Sequence, residues 1–79
     1  MEDYFGYKNK ICIVTGASSG IGMATTKLLV KLNAEVYALD IVQKDIKGVR
    51  KFIEVDLSSK ESIDNAMKQI PTHIDSFFG

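Results

Sequence analysis

Three glycines punctuate the stretch Thr15-Gly16-Ala17-Ser18-Ser19-Gly20-Ile21-Gly22, which follows the apolar run Ile11-Cys12-Ile13-Val14 and precedes residues with helical spacing. A glycine-rich turn between a strand and a helix is suited to holding phosphate. Gly16 lets the chain leave the strand at backbone angles that other residues resist, and Gly20 lets the backbone come within hydrogen-bonding distance of a ligand. Gly22 lets the helix sit close on the sheet. The first amides of that helix lack internal partners and carry the positive end of its dipole, a match for the doubly charged pyrophosphate of a dinucleotide. A glycine pattern alone is weak evidence, since many turns use two glycines and bind nothing. Ser18 and Ser19 also have a plainer role open to them, because serine is among the best helix N-caps.

An acidic residue supplies the context. Asp40 ends the next apolar strand, Val36-Tyr37-Ala38-Leu39, 24 residues beyond Gly16, near the interval of about 20 residues that separates the glycine turn from the ribose-binding acid in dinucleotide folds. A carboxylate there accepts both hydroxyls of an adenosine ribose and repels an added 2′-phosphate, which favours NAD over NADP. The plainer reading of Asp40 is a polar residue closing a strand. Asp56 lies two residues before a helix cap, where the helix dipole favours a carboxylate whatever its other role. His73, the only histidine, falls at the amino edge of the sheet, away from these groups. No second histidine or cysteine stands at ligand spacing, so no metal site is expected.

The elements that must position these groups follow from periodicity. Apolar runs predict strands over 10–15, 35–40, 50–55 and 73–78, and helical spacing predicts helices over 20–32 and 59–70, a βαβ-type alternation. In the first helix Ile21, Ala24, Leu28 and Leu32 form a stripe expected to face the sheet, and Asn33 can end the helix in the left-handed conformation. Ser58 and Glu61 spell a capping box for the second helix, Ile63, Ala66, Met67 and Ile70 its core stripe, and Pro71 its stop. Only nine residues, Ile41 to Val49, separate the second strand from Arg50, whereas a parallel crossover usually takes a dozen or more and holds a helix. That connection must be compressed.

Composition narrows the partners. Seventy-nine residues make at most one small domain, which buries about 60% of its unfolded surface and is marginal in isolation. Ten basic and ten acidic residues cancel with no basic run, so nothing marks a nucleic-acid or anionic-membrane surface. No stretch approaches the ~20 apolar residues of a membrane span, and Met1-Glu2-Asp3-Tyr4-Phe5 is no signal peptide. The single cysteine, Cys12, reads as a buried, inert thiol within the first strand, and the expected compartment is the cytoplasm.

TGASSGIG on a strand, Asp40 at the end of the next, and Val55-Asp56-Leu57 together resemble the short-chain dehydrogenase/reductase family, and the resemblance covers nearly the whole chain. The spacing of Gly16, Gly20 and Gly22 is that of the dehydrogenase subgroup; the extended, epimerase-like subgroup has glycine where Ser19 stands. Ser18 occupies the place of the second glycine in the older G-x-G-x-x-G pattern. The resemblance implies a Rossmann-type α/β fold, a parallel sheet of order 3-2-1-4 with helices on its faces, incomplete as it stands. Residues 1–79 are then the amino-terminal part of one NAD(P)-binding domain. It further implies an NAD-dependent oxidoreductase acting on a secondary alcohol or the matching ketone, and a homo-oligomer in the full-length protein. Gly16, Ser18, Ser19, Gly20, Ile21 and Gly22 would line the phosphate and nicotinamide side of the cofactor. Asp40 would take the ribose, Ile41 would flank the adenine, and Asp56 and Leu57 would meet its amino group and ring face. NADP-preferring relatives often carry Arg or Lys at the positions of Ser19 and Ile41, which favours NAD again. The short Ile41–Val49 link departs from the common pattern and is more like the bacterial hydroxysteroid dehydrogenase/carbonyl reductase branch.

Family members keep a serine and a Tyr-x-x-x-Lys pair beyond the fourth strand, and no such set follows here. Tyr4 and Lys8 spell the interval, but Gly6 between them and their place before the first strand mark a coincidence. The chain stops at Phe77-Phe78-Gly79, where the family's fourth strand runs on into Asn-Asn-Ala-Gly. The expectation is the cofactor-binding part of a longer enzyme, with no catalytic residue of its own. Two alternatives stay open: a non-enzymatic module that binds or senses NAD, and a folding fragment without ligand.

Overall fold

In a computed structural model, residues 6–79 are described; the Met1–Phe5 start and Tyr4 of the Tyr4/Lys8 pair lie outside them. Their order is β1 (Ile11–Thr15), α1 (Gly20–Lys31), β2 (Glu35–Asp40), β3 (Lys51–Glu54), α2 (Lys60–Met67) and β4 (Ser76–Phe78). The strands form one four-stranded sheet in the order β3-β2-β1-β4, parallel throughout, as the alternation and the resemblance predict. Ile11 pairs with Glu35 and Thr15 with Leu39, so β1 and β2 end together at the carboxyl edge. The glycine turn and Asp40 leave the sheet side by side.

Alternation along the strands divides the core between two faces. Cys12, Val14, Val36 and Ala38 point to one face, where Leu29 of α1, Ala34 and Ile46 cover them. Ile13, Leu39 and Ile53 point to the other, with Val55, and Ala66 of α2 packs there. Both faces are therefore covered, which is why β1 is apolar at successive positions instead of alternating. Ile13 and Ile53 are almost wholly buried, each contributing about 1.5–3 kcal/mol relative to exposure. Cys12 is buried as expected, and burial, then the nearby Asp75 charge, raises its thiol pKa.

The facing of α1 differs from the expected stripe. Thr26 and Leu29 are its buried residues, while Ile21 is 85% and Leu28 55% exposed and Ala24 also faces out. The reason lies at Gly22. A Cβ there would come within 1.9 Å of the Gly16 carbonyl oxygen, so the helix is pressed onto the turn at this position, and residues four, seven and eight further on, Thr26, Leu29 and Val30, turn toward the sheet. A polar residue in that stripe hides the period in the sequence. Thr26 is tolerated because its hydroxyl donates to the Gly22 carbonyl at 2.8 Å. The other end behaves as read: Asn33 adopts φ 66° just past the helix.

Strands β1 and β3 and helix α1 are shorter than expected by a residue at one or both ends, and the ends of α2 and the start of β4 move for specific reasons. Ser59, not Ser58, caps α2, its hydroxyl accepting from the Ser62 amide; Ser58 is drawn to Asp56 instead, so the expected Ser58/Glu61 box does not form. The helix ends at Met67 rather than at residue 70. The Gln69 amide donates to the Ala66 carbonyl at 2.9 Å, a tightening of the last turn that precedes the stop at Pro71. Met67 is 56% exposed and not core, whereas Ile63, Ala66 and Ile70 join the second cluster. Strand β4 starts at Ser76 because Asp75 supplants the ladder: its carboxylate accepts from the Ile11 amide at 2.8 Å and its own amide donates to the Ile11 carbonyl at 2.9 Å. The Ile41–Val49 link contains no helix. Ile46, 6% exposed, anchors it to the core instead.

Candidate functional site

The carboxyl ends of β1, β2 and β3 and the start of α1 enclose two adjoining clefts. One, about 280 Å³, is lined by Thr15, Gly16, Leu39, Asp40, Ile41, Val55, Asp56, Leu57 and Ser58. The other, about 670 Å³, is lined by Val14, Thr15, Gly16, Ser19, Ile21, Gly22, Thr25, Leu57, Phe77, Phe78 and Gly79. Thr15, Gly16 and Leu57 belong to both, so the strand end and the first glycine form the ridge between them. An elongated ligand with two different ends would straddle that ridge at the sheet edge where open α/β folds bind ligands.

The turn has the geometry its glycines require. Gly16 has φ 66°, in the left-handed region that a side chain resists. Ser19 is the N-cap of α1: its hydroxyl donates to the Gly16 carbonyl at 2.7 Å and accepts from the Gly22 amide at 3.3 Å. The amides of Gly20 and Ile21 precede the first helical carbonyl able to receive them. A Cβ at Gly20 would meet nothing within 4 Å, so the helix start is open on that side. The first turn of α1 holds no acidic residue, whereas that of α2 holds Glu61. Within α1 itself, then, no acidic side chain occupies the positive end, and the Gly20 and Ile21 amides there suit an anion.

Asp40 stands across the ridge from that anion site. One carboxylate oxygen accepts from the Ser18 amide at 2.8 Å and the other from the Ile41 amide at 2.6 Å. These bonds fix the carboxylate plane and leave each oxygen a second lone pair, enough to accept two hydroxyl donors. Asp56 is held in a local turn, one oxygen accepting from the Ser58 hydroxyl at 2.6 Å and from its amide at 2.9 Å. Those two bonds, the hydroxyl first, hold its carboxyl below the usual carboxylate range. The Asp56 amide in turn donates to the Ser62 hydroxyl at 2.8 Å, tying the end of β3 to α2. Around these polar groups the exposed apolar side chains of Ile21, Ile41 and Leu57 form a rim, the mixture expected of a site that takes a partly aromatic ligand.

The expected site residues therefore gather, with two exceptions. Gly16, Ser19, Ile21, Gly22, Asp40, Ile41, Asp56 and Leu57 line one or both clefts. Gly20 lines neither cleft, although it lies between the lining residues Ser19 and Ile21. Ser18 turns away from the helix start, its hydroxyl donating to the Val42 carbonyl at 2.6 Å. Thr15, Thr25, Phe77 and Phe78 also line the clefts without a binding role read from the sequence, as does Ser58, expected only as a helix cap. Thr25 was legible, since it lies one helical turn beyond Ile21 on the same face. His73 sits at the opposite, amino edge, hydrogen-bonded to Asp75 at 2.9 Å. Among the described residues no group of three or more His, Cys, Asp or Glu could hold a metal. No helix among them is long and apolar enough to cross a membrane.

Comparison with known proteins converges on one family. The chain is 40% identical over 67 residues to a coniferyl-alcohol dehydrogenase of Pseudomonas, covering 85% of this chain and 26% of that protein. It is 36% identical over 74 residues to an NAD-dependent glycerol dehydrogenase of Listeria innocua, covering 84% and 29%. Among solved structures it matches the aldohexose dehydrogenase of Thermoplasma acidophilum, a C-terminal deletion mutant, with a TM-score of 0.73 at 27% identity over 84% of this chain and 28% of that one. A 4-hydroxyisoleucine dehydrogenase complexed with NADH matches with a TM-score of 0.69 at 36% identity over 77% and 28%. The chain thus spans under a third of the length of each of these relatives. With residues 10–77 matching the family model described as short chain dehydrogenase, on a parallel sheet that carries its glycine turn and strand-end acid at one edge, this chain belongs to the short-chain dehydrogenase/reductase family of oxidoreductases.

Proposed function

We propose that these residues supply the NAD-binding part of an oxidoreductase that interconverts a secondary alcohol and its ketone, residues 1–79 being the amino-terminal part of one dinucleotide-binding domain. The observation that carries the reading is the juxtaposition of the start of α1, whose first turn holds no acidic residue, with the Asp40 carboxylate, both bordering Gly16. The residues fit the group: the amides of Gly20 and Ile21 would meet the pyrophosphate, Asp40 the adenosine ribose, and Ile41, Asp56 and Leu57 the adenine. On the other side of the ridge Ile21, Thr25 and Phe78 would border the nicotinamide half. The bound dinucleotide would supply hydride transfer; this chain's own residues bind it, orient it and keep water from its apolar faces. The acid/base work of the reaction falls outside these residues, so the chain alone binds cofactor without turnover. The NAD-dependent glycerol dehydrogenase and the NADH-complexed dehydrogenase among its relatives support this choice of cofactor, as do Ser19 and Ile41, neither of which offers a cation to a 2′-phosphate. A cytoplasmic location and a homo-oligomeric full-length protein complete the proposal.

The test is calorimetric titration of NAD and NADP into the chain, after circular dichroism has shown it folded. The expected result is NAD binding at least about tenfold tighter than NADP, about 1.4 kcal/mol. Equal affinity would remove Asp40 from the ribose, and no binding by a folded chain would leave the turn a structural feature.

A further inference from the structure

The bonds between the glycine turn and the end of β2 form a seam that phosphate binding does not require. Past the last β1–β2 pair, Thr15 with Leu39, the contact continues through three bonds: the Ala17 amide to the Leu39 carbonyl at 3.1 Å, the Ser18 amide to an Asp40 carboxylate oxygen at 2.8 Å, and the Ser18 hydroxyl to the Val42 carbonyl at 2.6 Å. Two of the three belong to Ser18. Its hydroxyl is free to serve here because Ser19 has taken the capping position. The bond to Val42 falls where the chain most needs one. The Ile41–Val49 link has no helix, Ile41 and Val42 are 55% and 56% exposed, and the link does not re-enter the core until Ile46. Ile41 and Val42 join neither core cluster, so hydrogen bonds to their neighbours take a larger share in setting their position.

We infer that Ser18 is a positioning residue for the adenosine half of the ligand: its hydroxyl sets Ile41 as a wall of the smaller cleft through Val42, and its amide orients the Asp40 carboxylate. The inference rests on the proposed dinucleotide reading and divides the site. Ser18 serves the adenosine end, while the amides of Gly20 and Ile21 serve the pyrophosphate. It also removes Ser18 from the phosphate ligands, since the amide that would meet a phosphate is already committed to Asp40.

The experiment titrates ADP-ribose, NAD and inorganic pyrophosphate into the wild-type chain and into Ser18→Ala and Ser18→Thr, with amide hydrogen exchange of residues 41–45 measured without ligand. In Ser18→Ala, ADP-ribose should bind roughly fivefold more weakly, the factor for one lost hydrogen bond. Pyrophosphate affinity should stay within about twofold by the same reasoning, exchange at 41–45 should speed up, and Ser18→Thr, which keeps the hydroxyl, should restore both. If the wild type binds NAD and Ser18→Ala keeps full ADP-ribose affinity and protection at 41–45, the positioning role is refuted and the cofactor reading stands. An equal loss of pyrophosphate and ADP-ribose affinity would also refute it, by showing that the whole turn has moved. A folded wild type that binds neither NAD nor ADP-ribose would overturn the cofactor reading and this inference with it.

Discussion

Gly20 and Gly22 are separated by one residue and face opposite constraints, so the same substitution at each should fail in different ways. A Cβ on Gly22 would lie 1.9 Å from the Gly16 carbonyl oxygen and 2.7 Å from its carbon, about 1.5 Å inside ordinary contact in the first case. Both atoms are backbone, so no rotamer change relieves the clash. Either α1 must lift or the Gly16 turn must deform, and the turn is already held at φ 66°. Overpacking of this kind costs about 1–3 kcal/mol and sometimes more, against a total stability of roughly 4–12 kcal/mol for a chain of this length. Gly22→Ala should therefore lower the urea midpoint markedly and weaken NAD binding along with the fold. At Gly20 a Cβ meets no protein atom within 4 Å. Alanine there should leave stability unchanged or raise it by up to about 1 kcal/mol through helix propensity, yet, if the Gly20 amide meets the pyrophosphate as proposed, its methyl group would crowd the ligand. Gly20→Ala should fold like the wild type and lose at least about tenfold in NAD affinity. Far-UV circular dichroism in urea, paired with calorimetric titration, reads both effects. A Gly22→Ala chain as stable as the wild type would refute the close-approach argument, and a Gly20→Ala chain with full affinity would refute the placement of the ligand.

Other residues give sharper local tests. Asp40→Ala should cost about 1.5–3 kcal/mol of NAD affinity, the range for hydrogen bonds to a charged group, and an unchanged dissociation constant by calorimetry would take it out of the site. The Ile11 amide, then the His73 hydrogen bond, lowers the Asp75 pKa; a carboxylate whose folded pKa is depressed stabilises above its unfolded value and loses that contribution as pH falls through the folded value. The β1–β4 contact should thus weaken in acid below about 3.8, the ordinary value, and Asp75→Asn should flatten the acid limb of a stability–pH curve, whereas an unaltered limb would contradict the role. Ser59→Ala should remove about 1 kcal/mol of stability by uncapping α2, with Ser58→Ala raising the Asp56 pKa instead, readable by carboxyl NMR titration. Equal loss of stability in the two would contradict the assignment of the cap.

The parts legible from sequence are those with short-range causes. Gly16, Asn33 and the Asp40 strand end could be read because each answers to its own neighbours: a turn needs a left-handed residue, a helix needs a stop, and a parallel strand delivers its last residue to the ligand edge. The facing of α1 could not be read so directly. It depends on a contact between Gly22 and Gly16, and a buried threonine interrupts the apolar period, so Ile21 and Leu28 gave a more regular but outward stripe. Ser58 and Ser59 are equivalent to any local rule, and what separates them is the prior attachment of Ser58 to Asp56. Met67 fits the apolar period of its helix, yet the helix ends there and its side chain faces outward. The two roles of Ser18 likewise depend on Asp40 and Val42, 22 and 24 residues away, and no periodicity announces those pairings.

The proposed dinucleotide spans the ridge between the two clefts, from the Asp40 side to the start of α1. Amide NMR spectra of the chain recorded as NAD is added test it residue by residue. The largest shifts should fall on Gly16, Gly20, Ile21, Ile41 and Leu57, with Lys10, His73 and Asp75 at the amino edge unmoved. Shifts gathered at that amino edge, or confined to one cleft, would contradict it.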